Sequence, residues 1–159
     1  GYVSCVDPNK LMIEQGKKKL RYLNNIEWYI SSAENLPFND NVFDIYSVSF
    51  GVRNFSDTQK ALREAHRVLK SGGRFICLEF SKVENEMLNK VYKTYSKTIP
   101  FLGKYIVGNS EPYDYLIRTI DEFYDQETFK KIILDSGFNK VEYRNLSGGV
   151  VAIHSAWKI

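Results

Sequence analysis

The run Phe43 to Phe50 is short, mainly apolar and bounded by Asn41 and Gly51, the pattern of a strand buried on both faces. Ser56 followed by Gln59 reads as a capping box, after which Leu62, Ala65 and Leu69 repeat at helical spacing. Lys70-Ser71-Gly72-Gly73 is expected to end that helix, and Arg74 to Phe80 forms the next strand. Strand, loop, helix, turn and strand make one βαβ crossover. Ligands of such sheets sit beyond the carboxyl ends of the strands. The loops Ser49–Asn54 and Glu79–Lys82 are therefore where chemistry is expected.

The same patterning extends in both directions. Tyr2–Val6 and Ile26–Ile30 read as strands, with a helix from Lys10 to about Tyr22 carrying Met12, Leu20 and Leu23 inward. Asn85 to about Thr98 has helical spacing until Pro100 and Gly103 interrupt it, and a further helix is expected over Tyr113–Tyr124. Asp125 can N-cap a helix with Phe129, Ile132 and Ile133 on one side, stopped at Gly137 with Phe138 just beyond. Val141–Leu146 and Val150–Trp157 flank Ser147-Gly148-Gly149, a hairpin signal. The alternation predicts an α/β sheet that ends in an antiparallel hairpin.

Composition narrows the class without naming a function. The 159 residues suffice for one domain with a real core. No apolar run approaches the ~20 residues of a membrane span, and no signal peptide is expected at the start. A net charge of +3 lacks the concentrated basic face of a nucleic-acid binder, so no nucleic-acid partner is expected. Two unspaced cysteines, Cys5 and Cys77, and two histidines offer neither a disulfide scaffold nor a metal site. Lys90, Lys93, Lys97 and Lys104 interleave with Tyr92, Tyr95 and Phe101. That mixture suits a peripheral membrane contact, and equally a solvated lysine face over an apolar core side.

Several residues could carry chemistry. Asp7, at the end of a strand, is placed to accept from both hydroxyls of a ribose, although Asp-Pro also reads as an N-cap and first helical residue. Arg53-Asn54 sets a guanidinium beside an amide on the loop after a strand. Arg53 could bind an anionic oxygen of a ligand or hold a water that takes its proton; the plainer alternative is an ion pair with a carboxylate such as Asp57. Glu79 could accept a proton or serve only as an acceptor for backbone amides. His66 reads as a helix-surface residue, and His154 as a structural histidine in the last strand.

FD…SFGVRN (Phe43–Asn54), ALREAHRVLKSGG (Ala61–Gly73) and LEFSK (Leu78–Lys82) resemble the ubiquinone/menaquinone biosynthesis C-methyltransferase family, a branch of the class I S-adenosylmethionine methyltransferases. The similarity takes in VDPNKLM (Val6–Met12), AENLPF (Ala33–Phe38), YDYLIRTIDEF (Tyr113–Phe123) and NLSGGVVAIH (Asn145–His154), nearly the whole chain. The resemblance implies a Rossmann-like sheet ordered 3-2-1-4-5-7-6, with the first strand and its Gly-rich loop falling before Gly1. It implies one domain over residues 1–159, in which residues 85–124 form a cap over the substrate. S-adenosylmethionine would be held by Asp7, Ser32, Ala33 and Ser49; the family more often has Asn or Asp where Ser32 stands. Arg53, Asn54 and Glu79 would serve catalysis, while Tyr113, Tyr115 and His154 would line the pocket of a polyprenyl quinol.

Two further expectations concern the missing strand. Tyr2–Val6 and Phe43–Phe50 would each face an open hydrogen-bonding edge, closed either by pairing with each other or by a second copy as a homodimer. Without the Gly-rich loop, S-adenosylmethionine binding is expected to weaken at least about 10²-fold relative to a full-length relative. A non-catalytic association module, or a methyltransferase with another acceptor, are the competing readings. The expected location is cytoplasmic with possible membrane association, or the mitochondrial matrix in a eukaryote.

Overall fold

The computed structural model describes residues 1–83 and 111–159. β1 (Val3–Val6) and β2 (Ile26–Tyr29) pair in parallel, Val3 opposite Ile26 and Val6 opposite Tyr29. Between them α1 (Lys10–Lys19) is capped by Asn9, whose side chain accepts from the Leu11 N–H. Gly16 lets α1 approach β2: a methyl there would run into the Trp28 ring. The helix stops short of the expected Tyr22, and its buried residue is Ile13; Met12 and Leu23 are exposed. Only β2 gives α1 a substantial packing surface among the described elements, so its apolar stripe is not covered all round.

The second sheet has the order β3-β4-β6-β5. β3 (Phe43–Ser49) runs parallel to β4 (Leu69–Phe80) through α2 (Thr58–Val68). β6 (Val151–Trp157) lies antiparallel to both β4 and β5 (Asn139–Leu146). The expected hairpin forms, with Gly148 and Gly149 at positive φ in its turn. Two helices precede it, α3 (Glu111–Glu122) and α4 (Gln126–Asp135). Asp125 caps α4 by accepting from the Thr128 N–H, and Gly137, at φ +102°, follows its end. Phe75, Phe129, Ile133, Phe138, Leu62 and Ala156 form the core between this sheet and helices α2 and α4. Cys77 is buried within it, Cys5 is half-buried, and burial pushes both thiols up.

Three local expectations are corrected. The N-cap of α2 is Asp57, which accepts from the Lys60 N–H, rather than Ser56. The helix ends at Val68, and Lys70–Gly73 are already strand; the Lys158 ammonium covers the final carbonyls of His66 and Arg67. β3 is buried on one face only: Tyr46 and Val48 pack on the core, whereas Ile45 is 60% exposed.

The arrangement β2-β1 and β3-β4-β6-β5 matches the family order with the first strand left out. Direct pairing of β1 with β3, one of the two expected closures, does not form: each has a single strand partner among the described residues. Loop 31–41 joins the two sheets instead. Phe38 packs edge-on against both Tyr29 and Phe43. Arg67 of α2 donates to the Leu36 and Phe38 carbonyls, and Glu64 accepts from the Leu36 N–H. Bringing β1 against β3 would shift the β1–β2 pair by about one strand spacing, ~4.8 Å, against these bonds.

Candidate functional site

β3 ends at Ser49, and Phe50 turns into the left-handed region at φ +53°. A non-glycine residue adopts that backbone at a cost of roughly 1–3 kcal/mol, so its surroundings must hold it there. The Phe50 N–H donates to the Leu78 carbonyl, and its ring packs 4.8 Å from that of Phe80. Its carbonyl accepts from Arg53 Nη1 at 2.6 Å. The buried Val52 fixes the following 3-10 turn, Val52–Asn54, to the core.

Arg53 is thereby folded inward. Its Nη1 donates to Glu79 Oε1 at 2.8 Å, with side-chain exposures of 10% and 2%. Glu79 also accepts from the Phe80 and Arg53 backbone N–H groups. The partner is thus Glu79, at the end of β4, rather than Asp57, which is engaged in capping. The Arg53 guanidinium lies over the Phe80 ring at 5.3 Å, and Nε is buried with no partner among the described residues. Glu79 carries out the amide-accepting role and the charge-pairing role together. Ser81 is a further buried residue of this loop, its hydroxyl without a partner among the described residues.

Asn54 meets α3: the Tyr115 hydroxyl donates to Asn54 Oδ1 at 2.9 Å. Tyr113 is half-buried on the same helix. Residues 84–110, which include the expected Asn85–Thr98 helix and the Lys–Tyr segment, lie outside the described residues. His154 does not join this cluster. It is 2% exposed, its Nε2 faces the Gln126 carbonyl at 3.0 Å, and Phe129 and Tyr143 pack on its ring.

A carbonyl partner makes Nε2 the protonated nitrogen, so Nδ1 carries a lone pair buried without a donor. Charging the ring would bury an N–H with no acceptor, and burial pushes the His154 pKa down. His66 is half-buried rather than on the helix surface, edge-on to Phe138. Burial, and then the Lys158 charge, lower its pKa too. A histidine depressed in the folded state contributes stability that is complete above its unfolded value of about 6.5 and lost as pH falls below it. The urea midpoint is therefore expected to drop as pH is lowered from about 7 to about 5. His154→Gln, which keeps a donor but cannot titrate, should flatten that slope; an unchanged slope would show that His154 does not contribute.

The nucleoside-side residues lie on the other strand ends. The Asp7 N–H continues the β1–β2 ladder to the Tyr29 carbonyl, and Asp7 Oδ1 accepts from the Asn9 N–H at 2.7 Å. Asn9 therefore caps α1, and Pro8 precedes the helix rather than opening it. Ser32 and Ala33 are half-buried just past β2, and Ser49 is exposed at the tip of β3. Glu34 connects the two sides: its Oε1 accepts from the Ser56 and Asp57 N–H groups, leading into α2. Its burial opposes ionisation, but those donors, its own N–H and the Ser32 hydroxyl hold the carboxyl below the usual range. Sequence reasoning assigned Glu34 no role. The signal was the pair of N–H groups preceding α2, which need an acceptor from elsewhere.

Asp7, Ser32–Ala33, Ser49–Arg53 and Glu79 thus each sit at or just past the carboxyl end of a parallel strand. Among the described residues no group of three or more His, Cys, Asp or Glu side chains comes together as a metal site, and no helix is long and apolar enough to cross a membrane.

Comparison with known proteins adds the following. Residues 1–158 match the profile described as the ubiE/COQ5 methyltransferase family. A ubiquinone/menaquinone biosynthesis C-methyltransferase from Rickettsia bellii is 52% identical over 157 residues, 96% of this chain and 63% of that protein. The mitochondrial 2-methoxy-6-polyprenyl-1,4-benzoquinol methylase of Bos taurus is 49% identical, over 99% of this chain and 49% of that protein. The chain thus spans 49–63% of the length of these curated relatives. A SAM-dependent methyltransferase from Aquifex aeolicus superposes with a TM-score of 0.71 at 19% identity, covering 100% of this chain and 70% of that one. A Thermotoga maritima methyltransferase structure gives 0.70, also at 19% identity, covering 98% of this chain and 72% of that one. At that identity the likeness establishes the class I methyltransferase fold.

Proposed function

This chain belongs to the ubiE/COQ5 methyltransferase family, and from that membership we propose that its residues serve S-adenosylmethionine-dependent C-methylation of a polyprenyl benzoquinol or naphthoquinol. One observation carries the acceptor side of this reading. Arg53 is a buried cation whose Nη1 is saturated by Glu79 and the Phe50 carbonyl while Nε has no partner among the described residues. A buried, unpaired N–H on a fixed cation suits an anionic oxygen brought by a ligand.

The residues present fit the nucleoside end of the cofactor. Asp7 keeps one carboxylate oxygen without a partner among the described residues, as a ribose diol requires, with Ser32, Ala33 and Ser49 on neighbouring strand ends. S-adenosylmethionine, when bound, supplies a methyl group activated by a sulfonium. Arg53 binds the acceptor's phenolic oxygen and favours its ionised form, which makes the adjacent ring carbon a stronger nucleophile. The phenol proton passes to a water beside Arg53 or to Glu79. Glu79 fixes the guanidinium, Asn54 and Tyr115 orient the ring's second oxygen, and Tyr113 with Phe50 supply aromatic wall.

The open edges of β1 and β3 support self-association, in which a second copy pairs with them as a homodimer. Contact with a membrane surface follows from the polyprenyl chain of the acceptor, and in a eukaryote the compartment is the mitochondrial matrix. The functional reading is tested with labelled S-adenosylmethionine in the millimolar range and a short-chain demethylated acceptor in both redox forms. Label should enter the quinol and not the quinone, because only the quinol has a hydroxyl proton to lose. Labelling of both forms equally, or of neither, would overturn the assignment.

A further inference from the structure

We propose that Lys82 is a positioning residue that sets helix α3 over the Arg53 site. Its ammonium donates to the Ile120 carbonyl at 2.9 Å and the Asp121 carbonyl at 2.6 Å, both in the last turn of α3. Those carbonyls are at the negative end of the helix, where a cation is favoured. The Lys82 backbone is itself held fast. Its carbonyl accepts from Nε2 of the buried Gln126, whose amide also donates to Asn145. Gly149, at φ +96°, packs so closely that a Cβ there would lie 3.2 Å from the Lys82 carbonyl.

Lys82 thus transmits the position of the sheet to the end of α3, three residues beyond Glu79 in the chain. The opposite part of α3 is held by the exposed Tyr115–Asn54 bond, next to Arg53. Tyr115 and the last-turn carbonyls thus each tie α3 to the sheet, and the tie at Lys82 belongs to neither cofactor nor acceptor. Gln126 and the Ser147–Gly149 turn acquire a reason through it: they fix the strand tail from which Lys82 reaches. This inference rests on the reading of α3 as the acceptor-side cap.

Two measurements on Lys82→Met and Lys82→Arg test it. Hydrogen exchange of the α3 amides should accelerate about tenfold in Lys82→Met, the loss of two charge-assisted bonds, while β4 and β6 amides stay protected. In the methyl-transfer assay the acceptor KM should rise about tenfold with the S-adenosylmethionine Kd unchanged, and Lys82→Arg should restore both readouts. Unchanged α3 exchange would show that no tether exists. Faster exchange with an unchanged acceptor KM would reduce Lys82 to a helix cap and overturn the positioning role. A wild-type chain that transfers no methyl group would remove the functional reading and this role with it, while the exchange arm still decides the tether.

Discussion

Glu79→Ala is expected to destabilise the protein by about 3–5 kcal/mol, because it strands the Arg53 charge in a site from which water is excluded. The carboxylate is 1% exposed and receives the Arg53 Nη1, the Arg53 N–H and the Phe80 N–H. Losing it leaves the Arg53 and Phe80 N–H groups without this acceptor and the guanidinium with only the Phe50 carbonyl among the described residues. A double variant, Arg53→Met with Glu79→Leu, removes both charges at similar volume and should recover most of the loss. Urea unfolding of the two variants decides the point. A single variant within ~0.5 kcal/mol of the parent would mean the pair is solvated in solution.

Arg53→Met should leave the cofactor's Kd within about twofold while lowering the methyl-transfer rate roughly 10²–10³-fold, the range ascribed to a fixed donor aimed at a developing oxyanion. Among the described residues Nε has no partner, and Arg53 lies on the turn that follows β3. Arg53→Lys should recover little, since a lysine cannot hold Glu79 and the Phe50 carbonyl while presenting a further fixed donor. Measuring rate at saturating acceptor separates this from lost binding. A rate unchanged in Arg53→Met would place proton handling elsewhere.

Features encoded within a few residues were legible in the sequence. The Asp125 cap, the Gly137 stop and the Ser147–Gly149 turn each depend on neighbours less than one helical turn away. So did the strand order, once the resemblance supplied the architecture for the alternating pattern. Illegible were the long-range partners. Ser56 and Gln59 have the spacing of a capping box, yet Glu34, 22 residues earlier, takes the Ser56 N–H and leaves the cap to Asp57. The ion-pair alternative for Arg53 pointed to a local carboxylate such as Asp57, whereas the crossover brings Glu79 beneath it from 26 residues away. β3 reads as doubly buried because its residues are apolar, yet the core packs on Tyr46 and Val48 while Ile45 on the other face stays 60% exposed. His154 stood out through its motif, but its position on β6 commits it to Gln126 and Phe129.

The most direct test is to follow a ¹³C-labelled methyl group from S-adenosylmethionine into a demethylated quinol by NMR, with the parent chain and Arg53→Met side by side. The label should appear on a ring carbon next to a hydroxyl with the parent chain, and be at least about 10²-fold slower to appear with Arg53→Met. Label on an oxygen, or carbon labelling that proceeds equally with Arg53→Met, would contradict the assignment of this site.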